Sequence, residues 1–477
     1  MRFHVRKVVV SLLVAVPVIV LLFFSAVNPP SVQAVPSYAR QTGLPCSGCH
    51  YAPPELNPAG RRFKLLGYVD RGDDTKTVKA DGGKKRAALD LLASLPLSVM
   101  LETSFTSTKS PVPSVTTNPT PPPAYLVTST QNGNFEFPQD ISLFLSGAWT
   151  SNVGSFLQVT YDSQGDHFSM DNTDIRYANK TKLGGKELVY GLDLNNNPTL
   201  DDLWNSTPAW GYPWIASDVA PTPTAVAIIN GALAQDVAGF GGYAMWNSHL
   251  YADVSVYRSE HIGGTQPNPG TGFSYNIHGV APYWRVAWQQ LTAKTQYEIG
   301  TYGMHMRSSP NQIVNANGVT GPEDEYTDYA FDTQIDRTLF RTDVLSFRGT
   351  YIRENADLLA SYVQGLTAFG SHHLNTVMAN AEYHIGNRYT GTFGWFDTNG
   401  TVDGTLYAAA PVSGSANGDP RGAGYIANVS FWPWQNLQLG AQYTAYTRFN
   451  GGNTNYDGSG RNASANNTVY LDAKFIF

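Results

Sequence analysis

The chain is short of charge, of cysteine and, beyond its first residues, of long apolar runs. Lys, Arg, Asp and Glu make up only 14% of its 477 residues, against about 25% in an ordinary soluble protein. The two cysteines, Cys46 and Cys49, sit in one short motif, so none is left for a disulfide framework. After Val27 no stretch is apolar enough for a spanning helix, which excludes a helical membrane bundle for the bulk of the chain. Neither methionine nor histidine occurs between His50 and Met100. The net charge of −6 is spread along the sequence and argues against nucleic acid as a partner.

What is abundant is Gly, Asn, Thr, Ser and Tyr, with aromatics at 12%. Sparse charge combined with slightly negative mean hydropathy fits strands that face lipid on one side and water on the other. Period-two alternation runs from residue 89 to Phe477. Val469, Leu471, Ala473, Phe475 and Phe477 oppose Asp472 and Lys474. Leu439, Ala441, Tyr443 and Ala445 oppose Gln438, Gly440, Gln442 and Thr444, and Tyr425, Ala427, Val429 and Phe431 share one phase. Leu345, Phe347 and Tyr351 oppose Ser346, Arg348 and Thr350, and Trp284, Val286 and Trp288 oppose Tyr283, Arg285 and Gln289.

A soluble sandwich also alternates, but three further features favour a membrane barrel. Tight connections (Ser151–Gly154, Trp246–His249, Leu291–Lys294, Gly386–Asn387) alternate with long polar ones (Thr108–Asn134, Asp193–Thr224, Arg258–Ala281), as periplasmic turns and outer loops do. The chain ends on an aromatic strand, the kind of signal that barrel assembly machinery reads. Trp432 and Trp434 sit near a strand end, where an aromatic girdle is expected. The expected fold is mainly β: an antiparallel outer-membrane barrel of about 16 strands, with both termini periplasmic. Such a barrel is wide enough for a water-filled lumen or a plug. The loop Thr108–Asn134 is proline-rich and is expected to be extended.

Residues 1–34 read as a signal peptide, with Arg2, Arg6 and Lys7 before an apolar run and Val32-Gln33-Ala34 as the cleavage site. An uncleaved membrane helix is the alternative, and either exports the rest. Residues 35–70 form a compact segment, 71–88 a hydrophilic linker and 89–477 the barrel.

Cys46-Ser47-Gly48-Cys49-His50 is the attachment pattern of c-type haem. Two thiols at this spacing reach the two vinyl groups of one porphyrin edge, and the adjacent histidine becomes the proximal iron ligand. A zinc site would need further ligands, yet the next histidine is His167. A redox dithiol would need a βαβ context; a surface disulfide is the plainest rival. A helix follows, with Asn57 as cap, Pro58 first and Gly67 closing it. Ala59, Phe63 and Leu66 share a face that can cover the haem. Arg61, Arg62 and Lys64 are either partners for the propionates or solvated basic residues. Met100, in the lumen phase with Ser98 and Glu102, is the first candidate for the distal iron ligand; His167, Met170 and Met304 follow. Methionine ligation would raise the reduction potential.

The run Ala39-Arg40-Gln41-Thr42-Gly43, Cys46-x-x-Cys49-His50, Leu56-Asn57, Gly60-Arg61-x-Phe63 and Gly67-Tyr68 resembles the fused outer-membrane monohaem cytochrome–porins of iron-oxidising bacteria. The close match spans residues 39–68, and the remainder is shared only as architecture. The resemblance implies one covalent haem c on Cys46, Cys49 and His50. Arg40, Gln41, Gly60, Arg61, Phe63 and Tyr68 carry over only as pattern positions. It implies an electron conduit with Fe(II)-oxidising activity in the outer membrane, taking electrons from extracellular Fe(II) to a periplasmic c-type cytochrome. On this reading residues 35–70 plug the lumen, with the haem towards the outer side. Glu323, Asp324 and Glu325 either attract Fe(II) or form a solvated loop cluster. A diffusion porin gated by the haem segment, an outward electron carrier and a soluble periplasmic oxidase remain alternatives.

Overall fold

The computed structural model describes residues 37–69, 96–112, 132–259, 277–308, 321–340 and 342–477, and the backbone of a few two- and three-residue strands between them. The signal-peptide reading (1–34) lies outside the described residues. So does most of the linker reading (71–88), in which Thr77–Val78 pairs with Leu91–Leu92.

Among the described residues, sixteen antiparallel strands close into one barrel. They are β1 (Leu97–Thr108), β2 (Asn134–Leu145, continued by Gly147–Ala148), β3 (Val153–Asp162), β4 (His167–Leu183), β5 (Lys186–Asn195), β6 (Val237–Trp246), β7 (Leu250–Ser259) and β8 (Ala281–Leu291). The second half is β9 (Thr295–Ser308), β10 (Asp324–Thr338), β11 (Val344–Leu358), β12 (Ser371–Ile385), β13 (Tyr389–Gly400), β14 (Gly422–Trp434), β15 (Leu437–Arg448) and β16 (Thr468–Ile476). Closure is made by β16 on β1, where Phe475 lies opposite Leu101 and Lys474 opposite Glu102. No edge strand remains, so every backbone polar group of the wall has a neighbour. Among the described residues the first barrel strand begins at Leu97.

The alternation read from sequence sets the two faces. Phe240, Val254, Ile299, Phe331, Phe347, Phe393 and Val429 point outward and are exposed. Arg176, Arg285, Ser346, Arg348 and Asp472 point inward and are buried. An apolar exterior band around a polar interior is the surface of a barrel in lipid. One end carries the tight connections, such as Gly184–Gly185 and Thr292–Lys294. The opposite end carries most of the long loops. One connection there, between β3 and β4, is only 163–166.

Two segments fill the lumen. The first is residues 196–236, which include most of Asp193–Thr224, expected from sequence to be a long polar outer connection. The structure folds it inward because it carries apolar groups that need cover. Leu200, Leu203 and Trp204 are no more than 1% exposed. Leu203 and Trp204 pack with Tyr243, Met245, Tyr251 and Ala287 of the wall. Asp202 holds the turn by accepting from the backbone N–H of Trp204, Ser206 and Thr207 at 2.9–3.1 Å, and it pairs with Arg285 of β8 at 3.1 Å.

The second is the N-terminal segment, with α1 (Ser37–Thr42) and α2 (Pro58–Leu65). It sits inside the turn end. Tyr38 Oη donates to the Ser155 carbonyl at 2.7 Å, Gln41 Oε1 accepts from Ala148 N at 2.8 Å, and the Cys46 backbone N–H donates to Gln435 Oε1 at 3.3 Å. Deeper in, Tyr68 Oη donates to Asp174 at 2.5 Å and Glu55 pairs with Arg348 at 2.8 Å.

Candidate haem site at the turn end of the lumen

The motif folds locally as its spacing requires. After extended Pro45, Cys46–Gly48 form one tight turn, and the His50 N–H closes it on the Cys46 carbonyl at 2.9 Å. Asn57 then ties motif to helix. Its Oδ1 caps α2 by accepting from Ala59 N at 2.9 Å and Gly60 N at 3.1 Å, while its Nδ2 donates to the Gly48 carbonyl at 3.1 Å. At Gly60 the helix crosses the motif so closely that a Cβ would lie 2.2 Å from the Cys49 carbonyl oxygen. This explains why glycine stands there.

His50 has a fixed tautomer. Its Nδ1 lies 3.0 Å from the Glu55 carbonyl oxygen. A carbonyl only accepts, so Nδ1 carries the proton and Nε2 keeps its lone pair. Burial pushes the imidazole down to about 4, so it is neutral at pH 7. A neutral ring with one nitrogen held by a backbone carbonyl is the form that ligates metals. Burial also pushes the Cys46 thiol up.

Cys46, Cys49 and His50 line a single cavity of about 350 Å³. Its walls come from distant parts of the chain. Tyr38, Phe63 and Tyr68 belong to the N-terminal segment, Met100, Phe144, Phe156 and Trp432 to the barrel, and Trp210 and Trp214 to the in-folded loop. The aromatic groups touch one another. Tyr38 meets Phe63 edge-on at 5.1 Å and stacks on Tyr68 at 5.6 Å; Phe156 meets Phe144 at 5.9 Å and Trp210 at 5.6 Å. Two thiols, a neutral histidine and a thioether around an apolar aromatic chamber are a donor set that fits haem c.

The other residues singled out in the sequence are placed differently. Phe63 reaches the cavity, but Ala59 lines a separate recess and Leu66 packs on the wall cluster. Arg61, read from sequence as either a propionate partner or a solvated basic residue, is buried against the wall. It pairs with Asp336 at 2.5 Å and donates to Gln296 at 3.1 Å. Arg62 pairs with Glu187 at the rim at 2.9 Å. Lys64 borders the cavity, yet its Nζ donates to the Leu200 and Asp202 carbonyls at 2.6 Å each. All three are thus occupied in docking α2.

Of the distal-ligand candidates, Met100 shares the cavity. His167 and Met170 lie at the loop end of β4, and Met304 is buried in an apolar cluster with Tyr257, Tyr283 and Ile277. The acidic trio does not converge. Glu323 pairs with His278 and Arg307, Asp324 is buried and accepts from Ser361, and Glu325 is exposed. The cavity lies at the turn end, the end at which the barrel's first strand starts.

The sequence reading missed Tyr38, Phe144, Phe156, Trp210 and Trp214, and assigned Trp432 to a girdle. One signal was available: Trp204, Trp210 and Trp214 crowd a stretch otherwise read as a polar loop. Large aromatics seldom cluster where there is nothing to cover them.

No protein-family profile and no curated protein matches the chain. Solved outer-membrane barrels are loosely similar. The channel DcaP of Acinetobacter baumannii is 12% identical, with 83% of this chain and 99% of that one covered and a TM-score of 0.45. OmpF of Salmonella typhi in complex with daunomycin is 9% identical, with 82% and 98% covered and a TM-score of 0.44. A loop L8 deletion mutant of OmpT from Vibrio cholerae is 9% identical, with 80% and 98% covered and a TM-score of 0.42. The barrel assignment rests on the strand pairing itself.

Proposed function

We propose that this chain is an outer-membrane electron-transfer protein. Residues 37–69 hold one covalent haem c in the mouth of a porin-like barrel, between an extracellular donor, Fe(II) foremost, and a periplasmic c-type cytochrome. The observation that carries the reading is the convergence of Cys46, Cys49, His50 and Met100 on one apolar cavity. Haem c bound there supplies a one-electron redox couple.

The chain's own residues do the rest. The Cys46 and Cys49 thiols would anchor the haem through thioether bonds and His50 Nε2 would hold its iron, with the Met100 sulfur a second donor that would favour a higher potential. The aromatic lining keeps water out. With the tight turns on the periplasmic side, as is usual for bacterial barrels, the cavity opens towards the periplasm. A soluble carrier could dock there. An extracellular donor must then be reached through the lumen past the in-folded loop. A barrel alone also suits solute diffusion, but two docked inserts weigh against a free pore.

The test uses protein matured with haem and purified in detergent. It is oxidised, Fe(II) is added without oxygen, and the haem absorption bands are followed. Reduction within seconds supports an Fe(II)-oxidising conduit. A c-type spectrum that stays oxidised with Fe(II) but is reduced by another donor removes iron and keeps the architecture. Absence of covalent haem after maturation refutes the reading.

A further inference from the structure

Asp193 of β5, Asp253 of β7 and Asp201 of the in-folded loop meet in the lumen, away from the cavity described above. One carboxylate oxygen from each lies within 4.8 Å of the others. All three residues are no more than 1% exposed. Asp193 Oδ2 accepts from Asn195 Nδ2 at 2.8 Å, and Asp253 Oδ1 accepts from Ser255 Oγ at 3.0 Å. Asp193 Oδ1, Asp253 Oδ2 and both carboxylate oxygens of Asp201 have no hydrogen-bond donor.

The hydrogen bonds that the nearby cations make go to other groups, and Arg176 Nη1 has no acceptor. Arg176 Nε donates to Asp174 at 2.7 Å, and an Arg176 terminal nitrogen donates to the Asp201 backbone carbonyl, not its carboxylate. Lys64 Nζ serves the Leu200 and Asp202 carbonyls. Arg285 is held by Asp202, Glu298 and Asp332. Buried carboxylate oxygens without a hydrogen-bond donor are strongly disfavoured.

β6 runs between β5 and β7, and Gly241 lies opposite Asp193 on one side and Ser255 on the other. A Cβ at Gly241 would stand 1.9 Å from Ser255 Oγ, the donor to Asp253. The absent side chain leaves the Ser255 hydroxyl its place beside Asp253. Three oxygens within 4.8 Å of one another lie no more than about 2.8 Å from a common centre, so shifts of a few tenths of an ångström bring all three to the metal–oxygen distance of about 2.4 Å.

We propose that Asp193, Asp201 and Asp253 bind one hard divalent cation of the calcium class, which pins the in-folded loop to the wall. The donors are all carboxylate oxygens, with neither imidazole nor thiolate among them, and such sets select Ca²⁺, Mg²⁺ or Mn²⁺ over softer metals. The ion also fixes the start of the stretch that carries Trp204, Trp210 and Trp214. The site stands whether or not the chain carries haem.

The full chain, purified in detergent and stripped with a chelator, is titrated with Mn²⁺ and followed by electron paramagnetic resonance. The expected result is one bound Mn²⁺ per chain, displaced by Ca²⁺. Its affinity should fall at least tenfold in Asp201→Asn and in Asp253→Asn, with the barrel still resistant to unfolding in detergent electrophoresis. Wild type that binds no Mn²⁺ overturns the proposal, as does a folded Asp201→Asn that binds it unchanged. If both variants fail to fold, Asp193→Asn replaces them: losing the third carboxylate should weaken Mn²⁺ binding, and unchanged binding overturns the proposal.

Discussion

Replacing Arg61 by alanine tests whether buried charge holds the N-terminal segment in the barrel. The Arg61 side chain is 6% exposed and that of its partner Asp336 1%, at a separation of 2.5 Å. Removing one member of such a pair costs about 3–5 kcal/mol, because the other charge stays buried without compensation. Asp336 keeps two contacts from Gln334 Nε2 at 2.9 and 3.1 Å and has Arg348 at 3.9 Å, so the lower figure applies. About 3 kcal/mol corresponds to roughly a hundredfold shift between docked and undocked segment. The neighbouring Arg62–Glu187 pair is a built-in control, since its side chains are 43% and 37% exposed. A surface pair contributes about 1 kcal/mol at most. Hydrogen exchange of the α2 amides, read by mass spectrometry, should accelerate about a hundredfold in Arg61→Ala and less than fivefold in Arg62→Ala. Adding Asp336→Asn to Arg61→Ala should recover part of the loss, because no orphan charge then remains. Equal exchange in the two single variants would refute the argument that the pair docks the segment.

Other perturbations probe the site itself. In haem-loaded protein, Met100→Ala should lower the midpoint potential in a redox titration while Met304→Ala and Met170→Ala leave it unchanged; no change with Met100→Ala removes that sulfur from the iron. Gly60→Ala should reduce the haem-to-protein ratio. Alanine favours a helix by about 1 kcal/mol over glycine, but here its Cβ would meet the Cys49 carbonyl at 2.2 Å, and a normal haem content would show that α2 can shift aside. Burial pushes Lys64 down to about 7, so between pH 7 and its unfolded value near 10.4 the unfolded chain binds more protons than the folded one. Stability therefore falls as pH is lowered through that window. Denaturant titration of wild type should show this, with a flatter profile in Lys64→Met; the same slope in both would sink the assignment.

The fold was readable because each strand carries its own two-sided pattern. Phe347 outward and Arg348 inward follow from period two alone, as do the phases of β14, β15 and β16. The motif and helix were readable because Asn57, Pro58 and Gly67 act within one turn of their positions. The phase of Met100 was readable for the same reason. What failed were statements about partners distant in sequence. The fate of Arg61 depends on Asp336, 275 residues away, and no local pattern reports that. The inward course of residues 196–236 depends on a cluster shared by β5, β6, β7, β8 and α2. A segment rich in Asn, Asp and Pro reads as solvated unless its tryptophans are weighed against them.

The buried charges also bear on what the lumen is for. Arg348 of β11 is held by Glu55 of the N-terminal segment and by Glu382 of β12. Arg285 of β8 is held by Asp202 of the in-folded loop as well as by Glu298 and Asp332 of the wall. Arg61 reverses the arrangement, with the cation on the insert and Asp336 on the wall. Withdrawing the N-terminal segment would break the Glu55–Arg348 and Arg61–Asp336 pairs, and withdrawing the loop would break Asp202–Arg285. Arg348 and Arg285 keep their wall partners and water refills the lumen, so each broken pair costs less than the roughly 3–5 kcal/mol of a charge left buried alone. A segment tied by several such pairs is a poor gate, because opening must break them together. The same ties suit a holder, in which a redox group must keep its distance from both donor and acceptor. The charge pattern thus favours a fixed site inside the barrel over a plug that swings aside for solutes.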